Sequence, residues 1–325
     1  MDKIMVIVPC YNEEQGLPQF YTKTREVFKH VQGCRFSYLF INDGSNDNTL
    51  AVLRELVRQD KGVNYLSLSR NFGKEAAMIA GLDYAEGDAV IIMDADLQHP
   101  PELIPVMVKY WQDGYDDVCT KLMDRQHEGR LKRFLTNSFY AGMEKFSRLK
   151  LQRDVGDFRL LDKKCVEALR LIRENQRYTK GLFTWIGYKK KEIPYKVQSR
   201  VGGITSWNYL SLLNFALDGL TSFTTAPLRV TTLLGLLVSF IAILYMVFVL
   251  FKALMFGDPV AGYPTILTVI LFLGGVQMLS LGIIGEYLGR VFNESKHRPL
   301  YLVSECNGNI VSYTRKEESI EKLLL

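Results

Sequence analysis

Cysteine and histidine are scarce in this 325-residue chain, which has only five cysteines and four histidines. The cysteines are odd in number and include no C-x-x-C pair, and the histidines lack metal-ligand spacing. A disulfide framework and a zinc site are therefore not expected, and a reducing compartment is the natural environment. The five cysteines are Cys10, Cys34, Cys119, Cys165 and Cys306.

The chain also lacks a strong charge imbalance, because its formal net charge is only +5. We find no basic stripe interleaved with stacking aromatic residues, so nucleic acid is not an expected partner. Anionic lipid headgroups would account for the mild basic excess equally well.

The first residues do not show the pattern of a secretory signal peptide, and we expect none; we also find no internal repeat and no low-complexity tract. Met1 leads almost directly into the apolar run Ile4–Val8, which is too short for a signal-peptide core and is followed by Pro9. We therefore expect the N-terminal part of the chain to remain in the cytoplasm.

Short apolar runs alternate with helix-like stretches over the first 200 residues. This βαβα rhythm predicts an α/β fold with a mostly parallel sheet, in which ligands bind at the carboxyl ends of the strands. The predicted strands are Ile4–Val8, Tyr38–Ile41, Tyr65–Leu68 and Ala89–Met93, and the helical patterns include Leu50–Gln59 and Lys74–Ala85.

Two long uncharged segments follow, Val230–Phe251 and Tyr263–Gly285. At about 1.5 Å per residue, each is long enough to cross a hydrocarbon core of about 30 Å. A pair of buried core helices is the alternative, but soluble helices seldom lack a polar face over such a length. We predict two transmembrane helices.

Basic residues flank the two predicted spans, whereas the connection between them offers only Lys252. The positive-inside bias therefore places both termini in the cytosol. The flanking cations are Lys189, Lys190, Lys191, Lys196, Arg200, Arg229, Arg290, Lys296 and Arg298. The expected organisation is a cytosolic domain over residues 1–200, interfacial amphipathic helices over 201–228, a two-helix membrane anchor over 229–290, and a cytosolic tail over 291–325.

The acidic pair Asp94 and Asp96 follows the predicted strand that ends at Met93. Two carboxylates so close repel each other unless a cation neutralises them. A hard divalent ion, shared with substrate phosphates, would do so. The alternative is a solvated acidic turn, and the position at the end of a buried strand favours the metal.

Polar segments elsewhere in the chain extend this pattern, and some of them also follow predicted strands. Arg70–Glu75 opens a helix, which is a usual setting for phosphate recognition. Each segment alone is also compatible with ordinary turn, helix-start or linker chemistry. The other segments are Pro9–Glu14, Asn42–Asp47, Gly156–Leu160 and Arg200–Ser206.

Together these motifs resemble glycosyltransferase family 2, in its polyprenyl-phosphate branch of bactoprenol glucosyltransferases and dolichol-phosphate mannose synthases. The resemblance runs from Ile4 to about Pro299 and rests on P-x-Y-N-E-E, I-N-D-G-S, S-R-N-F-G-K-E, D-A-D-L-Q-H-P, V-G-D-F-R-L and the final G-E-Y-L-G-R. It implies a GT-A-type, Rossmann-like sheet followed by interfacial helices and two transmembrane helices.

The resemblance also implies roles for individual residues. Residues implied to hold the nucleoside are Pro9, Tyr11, Glu13 and Asp43. Residues implied to bind Mg²⁺ or Mn²⁺ are Asp94, Asp96 and Gln98. Residues implied to contact the donor diphosphate are Lys74, Arg200 and Ser206. Asp157 is the implied catalytic carboxylate, and Arg125 and Arg133 are candidates for the acceptor phosphate.

The reaction implied is inverting, metal-dependent transfer of one sugar, with glucose from UDP-glucose favoured, to undecaprenyl phosphate at the cytosolic face of the inner membrane. Mannose, aminoarabinose-type and GlcNAc-type donors remain alternatives, as does a non-catalytic scaffold that binds nucleotide-sugar. A transporter fits poorly, because the spans are uncharged. A homo-oligomer is expected, since relatives are often tetramers.

The chain departs from its relatives at Trp207, where many carry lysine, and it lacks the Q-x-x-R-W motif of processive synthases.

Overall fold

The computed structural model describes residues 1–123, 155–174, 179–195 and 262–310, together with scattered helical positions between 235 and 255. Two compact units divide the chain. The first contains the sheet and the helices packed on it, and the second contains the long apolar helix near the C-terminus.

Nine strands form one sheet in the described part of the first unit, in the order β7-β5-β6-β4-β1-β2-β3-β8-β9. Neighbours from β4 to β3 run parallel, whereas β6 and β8 run antiparallel to the strands beside them. The predicted α/β class with a mostly parallel sheet is confirmed. The strands are β1 (Asp2–Cys10), β2 (Cys34–Asn42), β3 (Val63–Leu68), β4 (Ala89–Ile92), β5 (Asp117–Leu122), β6 (Val155–Asp162), β7 (Lys190–Tyr195), β8 (Val303–Cys306) and β9 (Asn309–Ile310).

Helices connect the strands, as the sequence pattern predicts. A short 3₁₀ turn, Pro101–Leu103, precedes the fourth helix. The helices are α1 (Gly16–Lys29), α2 (Thr49–Gln59), α3 (Lys74–Tyr84), α4 (Ile104–Gln112), α5 (Lys163–Arg170), α6 (Thr179–Trp185) and α7 (Tyr263–Ser295).

The core lies on both faces of the central strands, which explains why β1 and β4 read as continuous apolar runs rather than alternating ones. Ile4, Val6 and Ile91 are fully buried. Helix α3 packs closely against this layer, because a Cβ at Gly81 would lie 2.3 Å from Ile7 Cγ2. This close packing holds α3 against the central strands, and Lys74 is the first residue of the helix.

Strand β6 brings a second acidic segment to the carboxyl edge of β4. The two strands are antiparallel and pair Ile92 with Arg159. Two residues further along the chain from Ile92 lies Asp94, and two residues before Arg159 lies Asp157. Both carboxylates therefore leave the sheet at the same edge.

The segment after α7 returns to the sheet of the first unit. Strand β8 pairs antiparallel with β3, and β9 extends the edge. Arg54 donates to Glu305 from Nε at 2.9 Å and from Nη2 at 2.5 Å, and the Tyr65 hydroxyl donates to the same carboxylate. The sequence did not predict this strand within the expected tail over residues 291–325.

One helix among the described residues, Phe272–Ser295, is long and apolar enough to cross a membrane. It belongs to α7, which continues past the predicted end of the second span at Gly285. Most of the first predicted span and the predicted interfacial helices lie outside the described residues. The described positions between Gly235 and Met255 are helical.

Candidate active site

The loops after β1 and β2 are hydrogen-bonded to each other at the carboxyl edge of the sheet. Asn12 N–H donates to Ser45 Oγ at 3.0 Å, and Asn46 N–H donates to Asn12 Oδ1 at 2.9 Å. A second pair of bonds joins Glu14 N–H to Asp47 Oδ2 and Asn48 N–H to Glu14 Oε2. The two loops therefore form one fixed surface.

Asp43 anchors the loop that leads into α3. Its two carboxylate oxygens accept from Phe72 N–H at 2.7 Å and Gly73 N–H at 2.9 Å, and the residue is 3% exposed. Burial raises the pKa of Asp43, and these two amides partly offset the rise. At Gly44, with φ +64°, a Cβ would lie 2.3 Å from the Arg70 carbonyl carbon, so only glycine lets the loops approach.

Lys74 joins Asp94 and Asp157 at the centre of the site. Its ammonium nitrogen lies 2.7 Å from Asp94 Oδ1, 2.8 Å from Asp94 Oδ2 and 2.8 Å from Asp157 Oδ2. The Lys74 side chain is 43% exposed, whereas that of Asp157 is 16% exposed. One cation at the start of α3 thus holds together the carboxylates that follow β4 and begin β6.

The protonation of Asp157 follows from its neighbours. Burial raises the pKa of this carboxyl, but the positive charges of Lys74 and Lys180 outweigh the burial and hold it well below its usual range. Partial burial lowers the pKa of Lys74, and Asp94 and Asp157 raise it further than burial lowers it. The Lys74–Asp157 pair is therefore ionised throughout the physiological pH range.

Glu75 follows Lys74 in α3, and its pKa is shifted in the opposite direction from that of Asp157. Burial and the nearby charge of Asp157 raise its pKa to about 7, and its Oε2 atom is buried without a hydrogen-bond partner. A carboxyl of this kind changes its protonation near neutral pH, unlike Asp157.

His99 fills the space between the acidic loop and β6. Its ring lies 5.4 Å from that of Phe158 and 5.3 Å from that of Tyr195, and its Nε2 is 4.0 Å from Asp94 Oδ2. Burial lowers the pKa of His99, which keeps the imidazole neutral. Its contacts position the loop that carries Asp94.

A buried ion pair supports Asp157 from inside the sheet. Arg159 is 1% exposed and donates from Nη1 to Asp117 Oδ2 at 3.1 Å and from Nη2 to the Gly156 carbonyl at 3.2 Å. The guanidinium carbon also lies 3.6 Å from the centre of the Phe183 ring. Arg159 thereby holds the backbone carbonyl that immediately precedes Asp157.

The predicted metal ligands Asp94, Asp96 and Gln98 lie in the loop that follows β4. Asp94 is partly exposed at the site, and Asp96 Oδ1 accepts from the backbone N–H of Gln98 at 3.1 Å. Within the described residues, no group of three or more His, Cys, Asp or Glu side chains is arranged to hold a metal ion. The oxygen donors suit Mg²⁺ or Mn²⁺, which use one or two carboxylates and complete their shell with substrate phosphates and water.

The structure brings Lys74, Asp94 and Asp157 together at the carboxyl edge of β4. Tyr11 is 44% exposed after β1, Pro9 lies in that strand, and the Glu13 backbone N–H donates to Thr49 Oγ1 at 2.9 Å. The roles of these residues toward a nucleoside stay predictions. The remaining predicted site residues, Arg125, Arg133, Arg200 and Ser206, lie outside the described residues.

Sequence reasoning missed Glu75, His99 and Arg159 as parts of the site. All three stand inside motifs that the sequence did single out, each within two residues of a predicted site residue or metal ligand. Their burial depends on contacts between distant segments, and the motifs alone carry no signal of it.

Known proteins resemble this chain over both of its parts. Residues 5–170 match the family described as "Glycosyl transferase family 2", and residues 226–291 match the "GtrB C-terminal hairpin".

Among curated relatives, the "Bactoprenol glucosyl transferase" of Shigella phage SfV is 46% identical over 93% of this chain and 98% of its own length. An uncharacterised glycosyltransferase of Synechocystis is 44% identical over 94% of this chain and 96% of its own length. Among solved structures, glucosyl-3-phosphoglycerate synthase from Mycobacterium tuberculosis, in complex with Mn²⁺, UDP-glucose and phosphoglyceric acid, aligns with a TM-score of 0.45 at 18% identity, over 68% of this chain and 78% of that chain.

Proposed function

Since this chain belongs to glycosyl transferase family 2 and is a glycosyltransferase, we propose that it moves one glucose from UDP-glucose to undecaprenyl phosphate, forming a polyprenyl-phosphate sugar for modification of cell-surface glycans. The choice of glucose and of the bactoprenol acceptor is supported by relatives of 44–46% identity whose names state that reaction. Their similarity covers nearly the whole of both chains.

The observation that carries this proposal is the Asp94–Lys74–Asp157 cluster at the carboxyl edge of the sheet. Carboxylates at this edge can hold a divalent cation, and a cation there suits a reaction in which negative charge develops on a leaving diphosphate. We expect Asp94 and Asp96, with Gln98, to hold Mg²⁺ or Mn²⁺. When bound, such an ion supplies Lewis-acid stabilisation of that charge.

The transfer itself forms one bond and breaks one. An oxygen of the lipid phosphate attacks the anomeric carbon, and the bond from that carbon to the nucleoside diphosphate breaks, with the electron pair leaving on the diphosphate. Direct in-line attack inverts the anomeric configuration. We expect Lys74, Arg200 and Ser206 to contact this diphosphate.

Asp157 has an orienting role in this proposal. A phosphate monoester has a second pKa near about 6, so the acceptor oxygen is already largely ionised at neutral pH. A carboxylate whose own pKa lies far below that value is a weak base. We therefore assign Asp157 to positioning the acceptor together with Lys74, and Arg125 and Arg133 to the acceptor phosphate.

The membrane part of the proposal follows from the acceptor. An isoprenoid tail leaves the bilayer only at high cost, so the active site must reach the headgroup layer. We propose two spans in the inner membrane, with both termini and the sheet unit in the cytosol, and a homo-oligomer such as a tetramer. Helix α7 supplies the one span that meets the length and hydropathy requirements among the described residues.

The test is a panel of nucleotide-sugars incubated with the purified full-length protein, undecaprenyl phosphate and Mn²⁺, followed by mass spectrometry of the lipid. We expect a mass increase of one hexose with UDP-glucose and a smaller yield with GDP-mannose, UDP-GlcNAc and an aminoarabinose donor. Product with another donor alone would overturn the choice of sugar. No lipid product with any donor would favour a non-catalytic nucleotide-sugar-binding scaffold.

A further inference from the structure

We propose that the Lys74 ammonium group is an internal counter-ion that covers the metal-binding face of Asp94 until a diphosphate draws it away, so that the divalent cation and the donor bind together. The inference rests on the proposed function, because it concerns the metal and the donor of that reaction. It adds an order to their binding and a second role for Lys74.

The position of Lys74 on Asp94 is the first observation. Its nitrogen lies 2.7 Å from Oδ1 and 2.8 Å from Oδ2, so it stands in the mouth of the carboxylate at nearly equal distances from both oxygens. This is the position that a cation bound to both oxygens of Asp94 would take.

A divalent ion and Lys74 cannot share that position. Carboxylate oxygens bind Mg²⁺ at about 2.0–2.1 Å, which would bring the ion within about 4 Å of the ammonium nitrogen. Two positive charges at such a distance in a partly buried site repel strongly. Occupation of the Asp94 oxygens by a metal therefore requires Lys74 to leave them.

Lys74 is able to leave Asp94 while keeping a partner. Its contact with Asp157 Oδ2, at 2.8 Å, does not involve Asp94, and 43% of the lysine side chain is exposed. Four rotatable bonds allow the ammonium group to swing within the site. A donor diphosphate brings new negative charge, which would hold both the metal and the displaced lysine.

The consequence is a measurable coupling between metal and nucleotide. Without nucleotide, displacing Lys74 from Asp94 takes up part of the free energy of metal binding. The affinity of the protein for the metal is therefore low. With nucleotide, the negative charge of the diphosphate neutralises both the metal ion and the displaced Lys74 ammonium group. Metal and nucleotide then strengthen each other's binding by the same factor. Removing the lysine charge should therefore strengthen metal binding in the absence of nucleotide and weaken the coupling.

The experiment measures Mn²⁺ binding to the purified full-length protein by loss of the free-ion electron paramagnetic resonance signal, without donor or acceptor. Lys74→Met should bind Mn²⁺ at least about tenfold more tightly than the unmodified protein, because the competing charge is gone. Lys74→Arg, which keeps the charge, should stay weak. The matched control is Lys180→Met, which removes a cation that acts on Asp157 but makes no Asp94 contact within the described residues, and its change should be well below that of Lys74→Met.

Further measurements separate the outcomes. Adding UDP should strengthen Mn²⁺ binding more in the unmodified protein than in Lys74→Met, and Lys74→Met/Asp94→Asn should lose the gain. Thermal unfolding of each variant verifies that it is folded. If the unmodified protein binds Mn²⁺ with UDP but Lys74→Met shows no gain without it, the counter-ion role is wrong and the metal site stands. If the unmodified protein binds no Mn²⁺ even with UDP, the proposed metal site fails and the inference fails with it.

Discussion

The Lys74 ammonium group lies 2.8 Å from the carboxylate of Asp157, although the two residues stand on a helix and a strand that are 83 positions apart in the chain. The start of α3 is fixed by the amides that Asp43 binds, and the start of β6 is fixed by its pairing with β4. This contact keeps Asp157 ionised, and the first prediction follows from it.

Replacing Asp157 with asparagine should lower the rate by about 100-fold or more, by the same factor at every pH between 5.5 and 9. The Lys74 charge keeps the pKa of Asp157 well below this window, so the protonation of the carboxylate does not change within it. Rates of lipid-product formation at saturating donor, measured across the window for both proteins, check the prediction. A loss that diminished at high pH would show that Asp157 acts as a base on the acceptor.

Replacing Glu75 with glutamine should stabilise the protein above neutral pH. Burial raises the pKa of Glu75 to about 7, from about 4.3 in an unfolded chain. Between these values the folded protein binds more protons, so its stability falls as the pH rises through this window. Glutamine mimics the protonated form, and at pH 8.5 it should add about 1–3 kcal/mol to the free energy of unfolding.

Thermal unfolding midpoints at pH 5 and pH 8.5 provide the measurement for Glu75. The two proteins should nearly coincide at pH 5 and differ at pH 8.5. Glu55→Gln is the matched control, because the Glu55 side chain is 54% exposed and its partners, Arg58 and Gln59, lie on the same helix. An equal effect of both substitutions would contradict the burial argument.

Replacing Arg159 with methionine should destabilise the protein by about 3–5 kcal/mol, because it leaves the fully buried Asp117 without its guanidinium partner. Lys190, at 3.7 Å from Asp117, compensates only in part. Adding Asp117→Asn to the variant should recover part of the loss. The comparison is Arg173→Met, since the Arg173–Asp83 pair is 45% exposed on the arginine side and should contribute less than about 1 kcal/mol. The measurement is the free energy of unfolding in denaturant for the unmodified protein, Arg159→Met, the double variant with Asp117→Asn, and Arg173→Met.

The contact between Arg54 and Glu305 predicts a coupling across the edge of the sheet. Arg54→Met and Glu305→Gln, singly and together, should show a coupling energy of about 1 kcal/mol, a value reduced by the 47% exposure of Arg54. Glu305→Gln should also speed hydrogen exchange of amides in β8. The exposed Arg58–Glu55 pair serves as the comparison and should give a coupling below about 0.5 kcal/mol. Unchanged exchange in β8 would mean that backbone pairing alone holds this strand.

The central strands were predictable because buried parallel strands read as continuous apolar runs, and β1 and β4 follow this rule. Asp94 was predictable because it follows such a run. The strand boundaries were predicted less accurately. Strand β2 begins at Cys34 rather than Tyr38, because the residues of mixed polarity at its start still pair with β1. Helix α7 likewise continues past the apolar run to Ser295, where polar residues of good helix propensity extend it.

Contacts between distant segments were not predictable from one sequence. Strand β8 has only four residues; it pairs with β3, and its Glu305 accepts from Arg54 of α2, 251 positions earlier in the chain. Both oxygens of Asp43 accept amides from the loop before α3, a contact that follows from the folded loop alone, and the role of Asp43 toward the nucleoside stays a prediction. The pairing of Arg159 with Asp117 depends in the same way on the register of β5 and β6.

The most direct test of the account compares Asp94→Asn with Asp113→Asn, a matched change at an exposed carboxylate at the end of α4. Purified proteins are given UDP-glucose, undecaprenyl phosphate and Mn²⁺, and glucosylated lipid is quantified by mass spectrometry. The account predicts that Asp94→Asn lowers the initial rate by at least about 100-fold, while Asp113→Asn keeps the unmodified rate. Full activity in Asp94→Asn would contradict the claim that the Asp94 carboxylate at this edge of the sheet is required for the transfer.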